Sequence, residues 1–226
     1  MRPQPRHELK HEISYGDYEA LRRRLAPVMA RDPHTGPDGL YEIHSLYFDN
    51  FADAALREKM DGAPAREKFR IRYYNNDLSV IHLEKKCKAR DLTTKYSAPL
   101  TEAQVRALLA GDTGWMRSSA HGLIRELRTK MQTELLRPRQ TVDYIREPFT
   151  YGPGNVRITF DRAVSAGPAD ERFLAPHTDV PADVRGLVVL EVKYDRFLPG
   201  HLAGLLQLGD RPQQSYSKYE KCRTFY

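Results

Sequence analysis

Between residues 68 and 88 the sequence KFRIRYYNNDLSVIHLEKKCK puts charge on alternate positions. In an extended segment Lys68, Arg70 and Arg72 share one face, and Phe69, Ile71 and Tyr73 share the other. His82, Glu84, Lys86 and Lys88 repeat the pattern against Ile81, Leu83 and Cys87. Asn75-Asn76-Asp77 supplies the turn of a β-hairpin, because Asn and Asp tolerate left-handed backbone angles. A face of this kind can handle anions. Guanidinium forks and ammonium groups hold phosphate oxygens, and a carboxylate or two among them can hold a divalent cation.

Other stretches carry similar faces. Glu8 and Lys10 alternate on a first strand, and further on come Lys95, then Tyr144 and Arg146, then Arg157, Thr159 and Asp161, and last Glu191 and Lys193. Their apolar neighbours include Ile145, Ile158, Phe160, Leu190 and Val192. Such a sheet can turn its charged side to water, as antiparallel sheets often do. It can also turn that side into a closed cavity. The basic bias common to many strands favours the second arrangement, since like charges set side by side are costly without an anion between them.

The elements that must position these faces follow from the rest of the pattern. Strands are expected over 6–13, 40–49, 92–100, 139–147, 156–164 and 186–194, in addition to the hairpin. Ser14 with Asp17, and Thr101 with Gln104, mark capped helix starts. Helices are expected after each, and also over 51–60, 119–136 and 199–208, with loops over 32–39 and 168–183. The end, 213–226, reads as a polar and aromatic stretch. Strands come from both ends of the chain and amphipathic helices lie between them, without a repeat or a clear linker. The economical solution is one α+β domain over 1–226, an eight-stranded antiparallel β-barrel with helices packed on its outside.

Composition bounds the function. The formal net charge is +6 and the pI about 9.3, a balance that attracts polyanions without choosing among them. Two cysteines make no disulfide framework, no apolar stretch is long enough for a membrane span, and residues 1–10 have no secretory pattern. A cytoplasmic protein is expected. No P-loop, Rossmann fingerprint, zinc-spaced Cys/His set or nucleophile elbow is present.

Five motifs occur in order: Ser45-Leu46-Tyr47-Phe48-Asp49-Asn50, Arg70-Ile71-Arg72-Tyr73-Tyr74, Leu83-Glu84-Lys85-Lys86, Leu190-Glu191-Val192-Lys193 and Tyr216-Ser217-Lys218-Tyr219. Together they resemble the VTC (vacuolar transporter chaperone) domain, the polyphosphate polymerase branch of the CYTH-like triphosphate tunnel metalloenzymes. The resemblance implies an eight-stranded tunnel that binds ATP and inorganic polyphosphate with Mn²⁺ or Mg²⁺, and transfers the terminal phosphate of ATP to a growing chain. By motif position, it implies that Arg70, Arg72, Lys86 and Lys218 act on the reacting phosphates. Lys10, Lys95, Arg146 and Arg157 would cradle the substrate, and Glu191 with Glu8 would hold the metal. Lys68 and Lys88 read as rim residues or solvated charge. Ser215 stands where a further lysine is expected, and one glutamate, not two, precedes Lys10. A tunnel triphosphatase and a non-catalytic polyanion-binding module, the latter using aromatics such as Tyr73 and Tyr74, are the rival readings. Nucleic acid is the less favoured partner, and the oligomeric state is open.

Overall fold

The computed structural model describes residues 6–89, 92–175, 180–182, 185–208 and 216–225. Ser215 lies outside them. Among the described residues ten strands form one antiparallel sheet. Eight lie on its main path: β1 (His7–Ile13), β3 (Tyr41–Asp49), β4 (Ala65–Tyr74), β5 (Asp77–Ala89), β6 (Leu92–Leu100), β7 (Arg137–Tyr151), β8 (Val156–Gly167) and β10 (Val188–Tyr194). Their spatial order is β1-β10-β8-β7-β3-β4-β5-β6. The short β2 (Ala30–Arg31) pairs with β7, and β9 (Val180–Pro181) with β8.

The expected closed eight-stranded barrel is corrected here, because the ladder does not close. Among the described residues the two ends of the sheet meet at a single bridge, where Arg6 N, just before β1, donates to Thr93 O of β6 at 3.3 Å. Beyond that point side chains span the seam, with Lys86 Nζ 2.7 Å from Glu8 Oε2.

The hairpin is as expected. Asn75 and Asn76 adopt φ of 50° and 56°, the left-handed conformation that Asn accepts at low cost. Its register sets Tyr47, Arg70 and Glu84 in one cross-strand row, and Ser45, Arg72 and His82 in the next. A third row holds three lysines abreast, Lys68, Lys86 and Lys95.

The apolar faces point outward under helices. The helices α3 (Glu102–Leu109) and α4 (Gly122–Thr133) lay Val105, Leu108, Ile124, Leu127 and Met131 over Phe69, Ile71, Tyr73 and Leu83. On the other side α1 (Tyr15–Leu25) packs Tyr18, Leu21 and Leu25 over Ile158, Phe160 and Leu190, where α5 (Gly200–Leu205) adds Leu202. Each large apolar side chain buried in this way contributes about 1.5–3 kcal/mol. Both predicted capping boxes form, Ser14 with Asp17 and Thr101 with Gln104. Once both apolar sides are covered, the charged faces are left to the inside.

The end of the chain differs from its sequence reading. Residues 218–225 form a helix, α6 (Lys218–Phe225), whose Tyr219 and Cys222 pack against Tyr47, Val142, Tyr144, Val164 and Ala166 on the inner side of the sheet. The interior is therefore apolar where α6 sits and polar elsewhere. The short α2 (Ala54–Met60) buries no side chain, and Asp49 accepts from Ala55 N at 2.9 Å and Leu56 N at 3.2 Å at its start. Among the described residues no helix is long and apolar enough to cross a membrane.

Candidate functional site: a cationic lumen

The inner faces enclose a cavity of about 470 Å³. Eleven Lys and Arg side chains line it against two carboxylates, Glu8 and Glu191, which is more positive charge than one triphosphate group neutralises. Lys10 and Glu8 come from β1, Glu191 and Lys193 from β10, Arg146 and Tyr144 from β7, and Tyr47 from β3. The hairpin supplies Arg66, Lys68, Arg70, Arg72, Lys86 and Lys88. Lys218 enters from the first turn of α6, and Lys59 from α2.

The carboxylates are each shared by several cations. Glu191 Oε1 lies 2.9 Å from Lys10 Nζ and 3.6 Å from Lys218 Nζ, and its Oε2 lies 2.9 Å from Lys193 Nζ and 3.5 Å from Arg146 Nη2. Glu8 meets Lys86 at 2.7 Å and Lys10 at 3.4 Å. Burial alone would raise both acids, but the surrounding lysines win and hold them well below the ordinary carboxylate range. Behind this pair, Asp161 accepts Arg146 Nε and Nη2 at 2.5 and 2.6 Å, and lies 2.5 Å from Lys218 Nζ. Arg70 donates Nε and Nη2 to Glu84 Oε2 at 2.8 and 2.7 Å.

Two cations differ from these. Arg72 is 4% exposed and donates only to neutral groups, Ser45 Oγ and the Tyr144 hydroxyl, both at 3.0 Å. No carboxylate pairs with it among the described residues. Lys68 Nζ is buried without a hydrogen-bond partner among them, and lies 4.9 Å from the centre of the Tyr219 ring. Burial lowers its pKa to about 8, against weaker opposing pulls from Tyr47 and Asp49. Lys86 also falls to about 8, through burial and the repulsion of Lys10 and Lys193, with Glu8 opposing. Burying unpaired charge is expensive, so Arg72 and Lys68 make a site for an anion from outside the chain.

Of the ten residues singled out from sequence, eight line the cavity: Glu8, Lys10, Arg70, Arg72, Lys86, Arg146, Glu191 and Lys218. Arg157 and Lys95 are not among its lining residues. Arg157 Nη2 donates to Asp32 Oδ2 at 2.7 Å and to the Tyr41 hydroxyl at 2.5 Å. Lys95 bonds Glu84 Oε1 at 2.8 Å with 55% of its side chain exposed. Lys68 and Lys88, read as rim or solvated charge, line the cavity. Arg66, Lys193, Tyr47 and Tyr144 share the alternating faces and could have been added from period alone, whereas Lys59 on α2 carried no signal. Tyr73 offers no ring for base stacking, since it is buried under the outer helices with its hydroxyl on Phe173 O at 2.5 Å.

Among the described residues no group of three or more His, Cys, Asp or Glu side chains is arranged to hold a metal ion. Two carboxylates do face the cavity together, and among the described residues Glu8 Oε1 is buried without a hydrogen-bond partner, its ion pairs with Lys10 and Lys193 lying at 3.4 and 3.6 Å.

Comparison with known proteins accords with this geometry. Residues 5–225 match the family model of the VTC domain. Several solved structures are similar to the chain at low identity. A candidate adenylate cyclase of Bacillus halodurans is 13% identical, with 91% of this chain and 87% of that one covered, at a TM-score of 0.49. One from Vibrio parahaemolyticus is 12% identical, with 95% and 96% covered, at 0.48. A conserved hypothetical protein of Pyrococcus furiosus is 10% identical, with 96% and 99% covered, at 0.49. No curated protein matches the chain. The chain belongs to the VTC domain family.

Proposed function

We propose, from membership of the VTC domain family and the chemistry of the lumen, that the protein is a metal-dependent polyphosphate polymerase. It transfers the terminal phosphate of ATP to a growing polyphosphate chain. The observation that carries this reading is Arg72, a buried guanidinium with no carboxylate partner among the described residues, in a cavity with eleven cationic side chains. Phosphoryl transfer needs positioning and charge neutralisation more than covalent chemistry, and this wall supplies both.

In this mechanism Arg72 offers its free edge to phosphate oxygens, while Ser45 and Tyr144 fix its plane. Lys86 and Lys218 act as point charges beside the reacting phosphates, and Lys10 and Arg146 bind the donor. Because Lys10 and Lys193 are shared with Glu8 and Glu191, an arriving polyanion can draw them off the carboxylates. Glu8 and Glu191 then fit a hard divalent cation, Mn²⁺ or Mg²⁺, of the kind that takes its other ligands from phosphate oxygens and water. When bound there, the ion offsets charge on the donor phosphates. The acceptor end is already an anion, so no strong base is required. Lys95 lies outside the cavity lining and supports Glu84, and Arg157 braces Asp32.

Product analysis after incubation with ATP and Mn²⁺ tests the reading. ADP with long-chain polyphosphate is expected. ADP with orthophosphate alone would make the protein a triphosphatase, and binding without turnover a polyanion-binding module.

A further inference from the structure

Tyr47 stands in the lumen wall in the same cross-strand row as Arg70 and Glu84. Its ring is held on one face. It stacks on Tyr219 of α6 at 5.1 Å and 28°, and the Tyr219 hydroxyl donates to Asp49 Oδ2 at 2.7 Å. Asp49 in turn caps α2. The phenol is thus fixed by packing that reaches from β3 through α6 to α2.

Its hydroxyl is placed differently from an ordinary buried phenol. Arg70 Nη1 donates to it at 2.9 Å, while Nε and Nη2 of the same guanidinium are turned to Glu84. A tyrosine oxygen accepts and also donates one proton. Here the accepting side is used, and the proton has no acceptor among the described residues. Arg70 spends three of its five N–H groups within the wall, so it has no free bidentate edge along Nε and Nη2 for a phosphate. Hydrogen bonds in such a chain polarise one another, and the Tyr47 O–H becomes a stronger donor for resting on Arg70.

We propose that Tyr47 donates a hydrogen bond to an oxygen of the bound phosphate chain, so that Arg70 is felt by the substrate through a neutral phenol. The proposal rests on the reading of the lumen as a phosphate site, and adds to it a contact that carries no charge of its own. The proton stays on the phenol and none passes to the phosphate.

The electrostatic surroundings supply a signature. On β4 Lys68, Arg70 and Arg72 face the phenol side of the lumen, with Glu84 behind Arg70 on β5. Tyr144 and Arg146 on β7, Lys218 and Tyr219 on α6, and Asp49 on β3 complete its neighbourhood. Burial would push the phenol up, but Arg70 and Arg72, the Arg70 hydrogen bond and Lys218 bring it down to about 8. A phenolate would repel phosphate. Bound polyanion must therefore restore the proton, and at mildly alkaline pH binding converts tyrosinate to tyrosine.

Titration of the full chain with inorganic tripolyphosphate at about pH 8.5 tests this, by calorimetry and by tyrosinate absorbance in the near ultraviolet. For the wild type, binding with loss of the tyrosinate signal is expected. Tyr47→Phe keeps the ring on Tyr219, and its melting temperature checks the fold. It is expected to bind about tenfold more weakly and to show no such absorbance change. Wild-type binding with an unaltered affinity in Tyr47→Phe would overturn the role of Tyr47 alone. So would wild-type binding that leaves the absorbance unchanged. A wild type that takes up no tripolyphosphate would overturn the phosphate reading of the lumen, and this proposal with it.

Discussion

Lys10 and Glu191 face each other as direct partners across the β1–β10 ladder, with Nζ 2.9 Å from Oε1. The same carboxylate is within 4 Å of Lys193, Lys218 and Arg146. One buried acid therefore tempers four cations drawn from β1, β10, α6 and β7. Glu191→Gln removes that charge while keeping the shape. Its turnover is expected to fall on the order of 100-fold or more, as when a principal electrostatic group is removed from an active site. Circular dichroism should show the fold retained. Unchanged metal-dependent turnover would remove Glu191 from the site.

Arg72 is the opposite case, a buried cation without a carboxylate partner among the described residues. Arg72→Met is expected to raise the melting temperature of the anion-free protein, because it replaces a desolvated charge with an apolar chain. It should also weaken tripolyphosphate binding by about 10- to 100-fold, the loss of one or two charge-assisted hydrogen bonds. A variant that is both less stable and equally good at binding would contradict the account of Arg72.

The lowered lysines give stability an unusual pH dependence. Lys68 falls to about 8 in the folded protein from 10.5, chiefly through burial. Between these values the unfolded chain binds the extra proton, so stability rises with pH across that window. Lys86 adds in the same direction, though about a third of its side chain is exposed and its share is smaller. Tyr47, brought from 10.0 to about 8, has the same sign. Lys10 and Lys218 are raised by their carboxylates, and their contribution is lost only above the ordinary lysine value. Chemical denaturation at pH 7.5 and 9.5 should therefore give a higher midpoint at the higher pH, and saturating tripolyphosphate should abolish the difference (~2 pH units apart is enough to span the titration). A midpoint that falls with pH without phosphate would overturn this assignment.

Asp49 joins three elements, accepting from Ala55 N and Leu56 N of α2 and from the Tyr219 hydroxyl of α6. Asp49→Ala leaves these donors unpaired and is expected to cost about 1–3 kcal/mol of stability in a denaturant titration. Lys218 begins α6, so tripolyphosphate binding should weaken in the same variant. Unchanged stability would show that α6 is held by its apolar contacts alone.

Much of the site was legible because it is periodic. Lys68, Arg70, Arg72, Glu84 and Lys86 alternate with apolar residues that helices cover, and the side with no helix to cover it becomes the lumen. Other features depend on partners distant in sequence. Arg157 has the same period as Thr159 and Asp161, but Asp32, in a stretch that reads only as a loop, draws it away from the cavity. The helical state of 218–225 rests on packing of Tyr219 and Cys222 inside the sheet, which eight polar and aromatic residues do not announce. Closure of a barrel is set by how far the first and last strands run alongside each other. Here Arg6 and Thr93 make one bridge, and no alternation within β1 or β6 encodes that length.

The fate of the terminal phosphate of ATP tests the central claim most directly. With ATP labelled at the γ-phosphate and Mn²⁺, wild-type protein is expected to move label into acid-precipitable polyphosphate as ADP accumulates, and Arg72→Met to do so far more slowly. Label recovered only as orthophosphate, or remaining in ATP, would contradict it.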